Sequence, residues 1–253
     1  MSVKLYAMTC GWLSADMNMF LAGQEGHIKV PIPAYLIEHP KGKVLFDSGM
    51  HPDIQTDPHG RIGELADAFV PDFEAGQEIK GRLESLNVDP DSIDFIINSH
   101  LHFDHTGGNE LVPNAKVIIQ KREWEAGHVP ELMEANLFDP LDYDHGHQVQ
   151  QVEGEFDLFG DGSVTTVPTY GHTPGHQALK VRLDSGDVIL AADSCYLRRT
   201  LEEMMLPSIV AEPETMMESL RTLKKLKNAG ARIFYGHDPE FWESVPQAPL
   251  EIT

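Results

Sequence analysis

Four side chains that can bind a metal ion lie within six residues of one another, directly after a predicted strand. The apolar run Phe95–Ile97 predicts the strand, and two polar residues later the chain reads His-Leu-His-Phe-Asp-His at residues 100–105. Alternate side chains of an extended segment share one side, so His100 and His102 can reach the same ion. Asp104 and His105 lie just beyond, where a turn can direct them toward a second ion. Such a cluster predicts a metal site at the edge of a sheet.

Two metal ions need more ligands than this motif supplies, because each zinc-type ion takes about four protein or water ligands. Three further ligand-type residues follow predicted strands in the same manner. They are His172, Asp193 and His237. We therefore expect them on the same rim of the fold as residues 100–105. His176 lies close to His172, and it fits a supporting position better than that of a ligand.

Short apolar, β-branched runs recur along the chain and predict strands bounded by Gly, Pro, Asp and His. They cover residues 34–37, 43–46, 95–97, 116–119, 164–167, 178–181, 188–190 and 232–235. Helices are predicted near residues 61–69, 77–86 and 214–228. The last has an apolar stripe at helical spacing that predicts core positions, formed by Met216, Leu220, Leu223 and Leu226.

Strands interleaved with helices indicate an α/β (α+β) sandwich in which helices cover sheet. No Pro-, Gly- or Ser-rich linker divides the chain, so we expect a single domain over residues 1–253. Residues 127–151 contain two prolines among acidic and histidine residues. This composition predicts an irregular flap over a site.

Composition excludes several classes of partner. Asp and Glu number 40 against 19 Lys and Arg, which gives a formal charge of -21, so a nucleic acid would be repelled over most of the surface. No apolar run predicts a signal segment or a membrane span. We expect a cytoplasmic protein without a membrane partner. Cys10 and Cys195 are too few for a disulfide framework and are expected to be free thiols. Cys195 lies between candidate site residues, and we favour a small buried apolar role for it over metal contact.

From roughly Ala34 to Asp238 the chain resembles the metallo-β-lactamase superfamily. The resemblance implies a four-layer αβ/βα sandwich with a dinuclear metal site at one edge. It implies that one metal is held by His100, His102 and His172, that the other is held by Asp104, His105 and His237, and that Asp193 bridges both. The segment Phe46-Asp47-Ser-Gly49 matches the aspartate turn of the family. By this match Asp47 supports a ligand histidine and fixes its tautomer.

A site of this kind suits hydrolysis. Two divalent ions, two ligand carboxylates and a bridging hydroxide together leave about one net positive charge, which can stabilise an oxyanion. We expect zinc, with iron, cobalt or manganese as alternatives. A hydroxide shared by the two metals would attack an electrophilic carbonyl, so esters, lactones, thioesters and amides are all possible substrates.

The sequence Asp193-Ser-Cys-Tyr196 selects among these substrates, since a tyrosine three residues after the bridging aspartate resembles the N-acyl homoserine lactonases. The resemblance implies opening of the homoserine lactone ring, which is quorum quenching. Tyr196 would hold the substrate carbonyl, and Asp104 would donate a proton to the leaving alkoxide. Alternatively, Tyr196 only packs beneath the metals.

Apolar side chains of the stretch from Met17 to Pro33, together with Phe69 and Phe73, are candidates for an acyl-chain channel, although a run of this kind is more often ordinary packing.

Other reactions stay open at this point. Related lactonases act on 4-pyridoxolactone or γ-butyrolactone, and the motifs do not distinguish these rings. Glyoxalase II-like thioesterases share the ligands but normally add a basic helical region, whereas about sixteen residues follow His237 here. A non-hydrolytic di-iron protein would usually carry a flavin domain, which we do not expect. The expected partner is a small-molecule lactone, and the protein is either a monomer or a homodimer.

Overall fold

Two β-sheets contain the strands of the computed structural model, which describes residues 2–253. The strands of the first sheet are β1 (Lys4–Asp16), β2 (His27–His39), β3 (Gly42–Phe46), β4 (Val70–Asp72), β5 (Phe95–Ile97), β6 (Lys116–Gln120) and β7 (Val149–Val152). Their order is β4-β1-β2-β3-β5-β6-β7. Antiparallel pairing joins β1 to β2 and β4, and β2 to β3, whereas β3, β5, β6 and β7 are parallel.

The second sheet is formed by the C-terminal half of the chain. Its strands are β8 (Phe156–Asp157), β9 (Val164–Pro168), β10 (Gln177–Leu183), β11 (Gly186–Leu190) and β12 (Arg232–Phe234). The order is β12-β11-β10-β9-β8, and only the β11–β12 pair is parallel. Parallel neighbours matter here because they end at the same edge of a sheet, where the side chains that follow them can meet.

Within residues 2–253, nine α-helices, several of them short, connect these strands. They are α1 (Pro58–Ile62), α2 (Leu65–Ala68), α3 (Ile79–Ser85), α4 (Phe103–Thr106), α5 (Lys121–Ala126), α6 (Pro130–Asn136), α7 (Arg198–Glu203), α8 (Pro213–Asn228) and α9 (Pro239–Trp242). Among residues 2–253 no helix combines the length and apolar composition that a membrane span requires.

The two sheets face each other across an apolar core, and helices cover their outer faces. Tyr35 and Ile37 of β2 share a buried cluster with Leu179 and Val181 of β10, whereas Leu36, between them in sequence, points to the opposite face. Residues of α3 and α5 pack on that outer face of the first sheet, and α7 and α8 pack on the outer face of the second. This is the helix–sheet–sheet–helix sandwich that the resemblance implies.

All eight predicted strands are present, and the predicted helix over 214–228 is α8. Its stripe is in the core, with Met216, Leu220 and Leu223 fully buried. The helix expected near 61–69 is divided into α1 and α2 at Gly63, whose φ of 59° is outside the helical region. Residues 127–151 are more regular than expected, because they contain α6 and most of β7.

Candidate functional site

The seven candidate ligands meet at one edge of the sandwich, just after the strands that precede them. Residues 100–105 follow β5 and lead into α4, while His172 follows β9, Asp193 follows β11 and His237 follows β12. Six of the seven side chains are buried, and His102 is half-buried. The fold therefore brings together residues from both sheets, as the sequence pattern predicts.

Three histidines and one carboxylate form the first of two groups that could hold a metal ion. His102 Nδ1 lies 2.9 Å from His100 Nε2 and 3.1 Å from His172 Nε2. Asp193 Oδ2 is 3.3 Å from His172 Nε2 and 3.6 Å from His100 Nε2. Nitrogen and oxygen atoms thus converge on one point, which is the donor set that zinc prefers.

Asp104, His105 and His237 form the second group. Asp104 Oδ2 lies 3.4 Å from His105 Nε2 and 3.7 Å from His237 Nε2. The other oxygen of Asp193, Oδ1, is 3.1 Å from His105 Nε2 and 3.0 Å from His237 Nε2. Asp193 therefore turns one oxygen toward each group, which is the orientation that a bridging ligand needs.

The ring nitrogens that point away from the two groups have partners of their own, and these partners orient the imidazoles. The contacts are His100 Nδ1 with Ser99 Oγ (2.8 Å), His102 Nε2 with Asn136 O (2.9 Å), His105 Nδ1 with Asp47 Oδ2 (2.9 Å), His172 Nδ1 with Tyr196 Oη (3.3 Å) and His237 Nδ1 with Pro31 O (2.8 Å). Where the partner is a carbonyl or a carboxylate, that nitrogen carries the proton, and the inward nitrogen is free to bind an ion.

Asp47 occupies the supporting position that the aspartate turn predicts. Its backbone is left-handed, with φ of 57°, and its carboxylate accepts hydrogen bonds from Ser99 N (2.7 Å), Ser99 Oγ (2.8 Å) and His105 Nδ1. A buried carboxylate with three donors is held in one orientation. Asp47 in turn fixes the ring of His105.

The electrostatics of the site favour a cation. Burial lowers the pKa of His100 and of His172 well below the ordinary value, so both rings are neutral and able to bind metal. Burial also lowers the pKa of His105, but the carboxylates of Asp193, Asp104 and Asp47 outweigh it and hold that pKa well above the ordinary value.

Buried polar atoms without hydrogen-bond partners also indicate that the site binds cations. His105 Nε2 and Asp193 Oδ1 have no hydrogen-bond partner among the described residues, and the ion pairs of Asp193 there are with histidines alone. Divalent ions would satisfy these atoms and balance the carboxylates, so the donor set fits a two-metal centre.

Tyr196 lies beside the first group. Its ring packs edge-on against His172, at 5.5 Å between ring centroids, and against Phe20, at 5.2 Å. Cys195 faces elsewhere: its thiol donates to Leu197 O at 3.5 Å, and the side chain belongs to the cluster formed with Leu201 and α8. Cys195 is thus a small buried apolar residue, as expected.

An apolar cavity of about 140 Å³ opens onto the two groups. Its lining includes His102, Asp104, His172, Asp193, Tyr196 and His237, and its apolar wall includes Leu13, Met19, Phe20, Val30, Leu65, Phe69, Leu137 and Ile209. Phe20 and Phe69 therefore lie where the channel hypothesis puts them. Phe73 does not, because it is buried in the core against Gly11.

Some contributors to the site were not predicted from the sequence. The carbonyl groups of Asn136 and Pro31 orient ligand histidines, and Leu137 and Ile209 are exposed apolar residues at the cavity. Backbone carbonyls leave no trace in residue identity. The one useful signal was the flap predicted over residues 127–151, since α6 and Leu137 belong to it.

Comparison with known proteins agrees with this geometry. The family model of the metallo-beta-lactamase superfamily matches residues 28–237. The N-acyl homoserine lactonase AttM of Azorhizobium caulinodans is 33% identical over 256 residues, which covers 98% of this chain and 97% of that protein. The N-acyl homoserine lactonase AiiA of Bacillus thuringiensis subsp. kurstaki is 33% identical over 230 residues, 89% of this chain and 88% of its own length.

A solved structure is also similar over the whole chain. It is an N-acyl homoserine lactone hydrolase with the product N-hexanoyl-L-homoserine bound at its catalytic metal centre. It superposes with a TM-score of 0.89 and 29% identity, and the match covers 100% of both chains.

Proposed function

The chain belongs to the metallo-β-lactamase superfamily, and we propose that it is a metal-dependent lactonase that opens the homoserine lactone ring of N-acyl homoserine lactones. The observation that carries the proposal is the position of the two ligand groups, joined by Asp193, at an apolar cavity. Relatives that span nearly the whole chain are named as N-acyl homoserine lactonases. The reaction is hydrolysis of a cyclic carboxylic ester, with quorum quenching as its biological consequence.

We propose that His100, His102 and His172 hold one divalent ion, that Asp104, His105 and His237 hold the other, and that Asp193 contacts both. Zinc suits nitrogen and carboxylate donors of this kind, and iron, cobalt or manganese can replace it. When bound, the ions would activate a water nucleophile and polarise the lactone carbonyl.

The remaining steps fall to side chains of the cavity. Tyr196 reaches it with a phenol that can donate a hydrogen bond to the carbonyl oxygen as charge develops there. Asp104 lines the same cavity, where its carboxylate can accept a proton from the attacking water and pass that proton to the leaving alkoxide. The apolar wall with Phe20 and Phe69 would bind the acyl chain and exclude water from the ring.

We further propose that residues 1–253 act as a single hydrolase domain in the cytoplasm, as a monomer or a homodimer. A lactone of low molecular weight is the partner that the cavity suits. Neither a nucleic acid nor a membrane is needed for this reaction, and the charge of -21 disfavours the former.

The test is a pH-drop assay on the zinc-loaded protein with a panel of cyclic and thioester substrates. The panel contains short and long N-acyl homoserine lactones, γ-butyrolactone, 4-pyridoxolactone and a glutathione thioester. We expect a clear preference for the acylated homoserine ring. A preference for another ring or for the thioester would replace the proposed substrate, and no turnover of any compound by the two-zinc protein would reject the hydrolase.

The matched variants are His102→Ala and His59→Ala. The first removes a proposed ligand and should abolish turnover, whereas His59 has an exposed side chain (62% of its surface) and its loss should leave turnover unchanged. Full activity in His102→Ala would contradict the proposed centre.

A further inference from the structure

Glu123 is a buried carboxylate that takes no part in the reaction described above. It lies in the first turn of α5, directly after β6, and its side chain is fully buried. Within residues 2–253 it forms no ion pair. Its neighbour Arg122 is bonded instead to Glu212, at 2.7 Å, on the surface. A buried carboxylate without a cation is costly, so its presence needs an explanation.

The two oxygens of Glu123 join the two loops that carry the histidines of the first group. Oε1 accepts a hydrogen bond from Leu101 N at 3.1 Å, and Leu101 lies between His100 and His102. Oε2 accepts one from Gly175 N at 2.6 Å, three residues after His172. One loop follows a strand of the seven-stranded sheet and the other a strand of the five-stranded sheet. Glu123 therefore links a loop from each sheet, next to the place where the three imidazoles meet.

The close approach of these segments supports this role. A Cβ atom on Gly175 would lie 2.4 Å from Glu123 N, so only glycine allows the loop to come within reach of the carboxylate. A second bond joins the same loops, from Gln177 N to Ser99 O at 2.9 Å. That bond is between backbone atoms next to the ligands, and Gln177 Nε2 adds a bond to Asn98 O at 2.8 Å. Glu123 differs because a single carboxylate accepts hydrogen bonds from the backbone of both loops.

The second ligand group is held by other means. His105 is oriented by Asp47, and His237 is oriented by the carbonyl of Pro31. Neither contact involves α5. A change at Glu123 should therefore act on one metal position and not on the other.

We propose that Glu123 is a positioning residue that fixes the His100–His102 loop against the His172 loop and so pre-forms the three-histidine metal position. The proposal rests on the two-metal centre proposed above. Glu123 does not touch substrate or metal; it acts through the backbone of Leu101 and Gly175. Partners of this kind typically change metal affinity by about 10–100-fold when they are lost.

The test is Glu123→Gln, with Glu125→Gln as the matched control. Gln keeps the size of the side chain, but its amide nitrogen would face one of the two backbone donors, so at most one hydrogen bond survives. Glu125 is an exposed residue of the same helix, and its substitution makes the same chemical change in the side chain. Zinc affinities are measured by competition with a chromophoric chelator, and His102→Ala and His237→Ala assign the two binding steps to the two positions.

We expect Glu123→Gln to lower the affinity of the three-histidine position by about 10–100-fold and to leave the other position and both affinities of Glu125→Gln unchanged. Unchanged affinities in Glu123→Gln, or an equal loss at both positions, would overturn the proposal, since a purely structural role cannot distinguish the positions. If the wild-type protein binds fewer than two ions, the two-metal centre itself is wrong.

A second measurement covers the case in which Glu123→Gln does not fold. In the metal-free wild-type protein, the amide hydrogens of Leu101 and Gly175 should exchange slowly because both are bonded to a buried carboxylate. Exchange at the rate of exposed loop amides would contradict the proposed contact.

Discussion

Asp193 owes its orientation to residues that do not bind metal themselves. Its backbone N donates to His176 Nε2 at 3.1 Å, and His176 Nδ1 is bonded to Thr169 Oγ1 at 2.9 Å. The preceding Ala192 is left-handed, with φ of 44°, and a Cβ atom on Gly236 would lie 2.4 Å from its carbonyl oxygen. Backbone strain of this kind is stored where a side chain must be aimed, and here it turns the carboxylate toward both ligand groups.

At the residue scale, Tyr196→Phe separates a role in catalysis from a role in packing. Phe keeps the edge-on contacts with Phe20 and His172 and removes only the hydroxyl group, together with its contact to His172 Nδ1. If that hydroxyl stabilises the transition state, kcat should fall about tenfold, which corresponds to roughly 1.4 kcal/mol. Steady-state kinetics on one acyl homoserine lactone provide the measurement. An unchanged kcat would assign Tyr196 to packing alone.

At the scale of elements, most of the strands among residues 2–253 were predictable and the short helices were not. The β-branched, apolar parts of β5 (Ile96 and Ile97) and β11 (residues 188–190) are buried, so their composition reflects their place in the sheet. β1 was missed because Gly11, with φ of 96°, lies in a register shift that interrupts its alternation. The four-residue α4 is fixed by tertiary contacts, and local sequence does not signal it.

In the site, too, some residues were predictable from the sequence and others were not. Ligands such as His102 and Asp193 were predicted because their chemistry is visible in the side chain. The carbonyl groups that orient the rings of His102 and His237 were not, because any residue could supply them. Glu123 was missed for another reason: its partners are 22 and 52 residues away in sequence, and only the fold brings them together.

The cavity wall at α2 gives a prediction at this scale. Phe69, at the end of α2, lines the cavity and packs against Phe103 with ring centroids 6.3 Å apart. Phe69→Ala should lower kcat/KM for long-chain acyl homoserine lactones about tenfold, since loss of apolar contact costs about 1–2 kcal/mol, and should change short-chain substrates little. Val70→Ala is the control, because Val70 is adjacent but exposed. An unaltered chain-length preference would exclude Phe69 from the acyl site.

The contact between α5 and the two loops predicts a dependence of stability on pH. Burial raises the pKa of Glu123 from 4.5 to about 7, against the opposing effect of its hydrogen bonds. The carboxyl group of Glu123 therefore binds its proton more tightly in the folded protein than in the unfolded chain. Its contribution to the free energy of unfolding is fully present below pH about 4.5 and is lost as pH rises through about 7.

Urea unfolding of the metal-free proteins between pH 5.5 and 8.5 tests this prediction. The stability of the wild type relative to Glu123→Gln should decline by about 2 kcal/mol between pH 5.5 and about 8 and then level off. A difference between the two proteins that does not vary with pH would show that Glu123 is ionised in the folded state throughout.

At the scale of the whole molecule, the acidic surface and the buried carboxylates of the site both destabilise the folded state through repulsion between negative charges. The chain carries a net charge of -21, and Asp47, Asp104 and Asp193 are buried close together at one edge of the sandwich. Self-repulsion of this charge destabilises the compact state, and bound divalent ions would offset it where the carboxylates are most concentrated. The sandwich should therefore depend on its metals for stability as well as for chemistry.

Removal of the metals should accordingly lower the melting temperature. An ion present at about a thousand times its Kd stabilises the native state by about 4 kcal/mol, and each kcal/mol shifts Tm by about 2–4 °C in a chain of this size. Chelation of both ions should thus lower Tm by about 10 °C or more. Added salt should recover part of this loss because it screens the surface charge. Zinc should recover the rest. His102→Ala should respond less to chelation because it lacks one proposed ligand.

The melting temperatures are measured by calorimetry, after elemental analysis has confirmed the metal content of each sample. If the metal-free protein melts at the same temperature as the metal-loaded protein, the buried carboxylates are already balanced by their histidines.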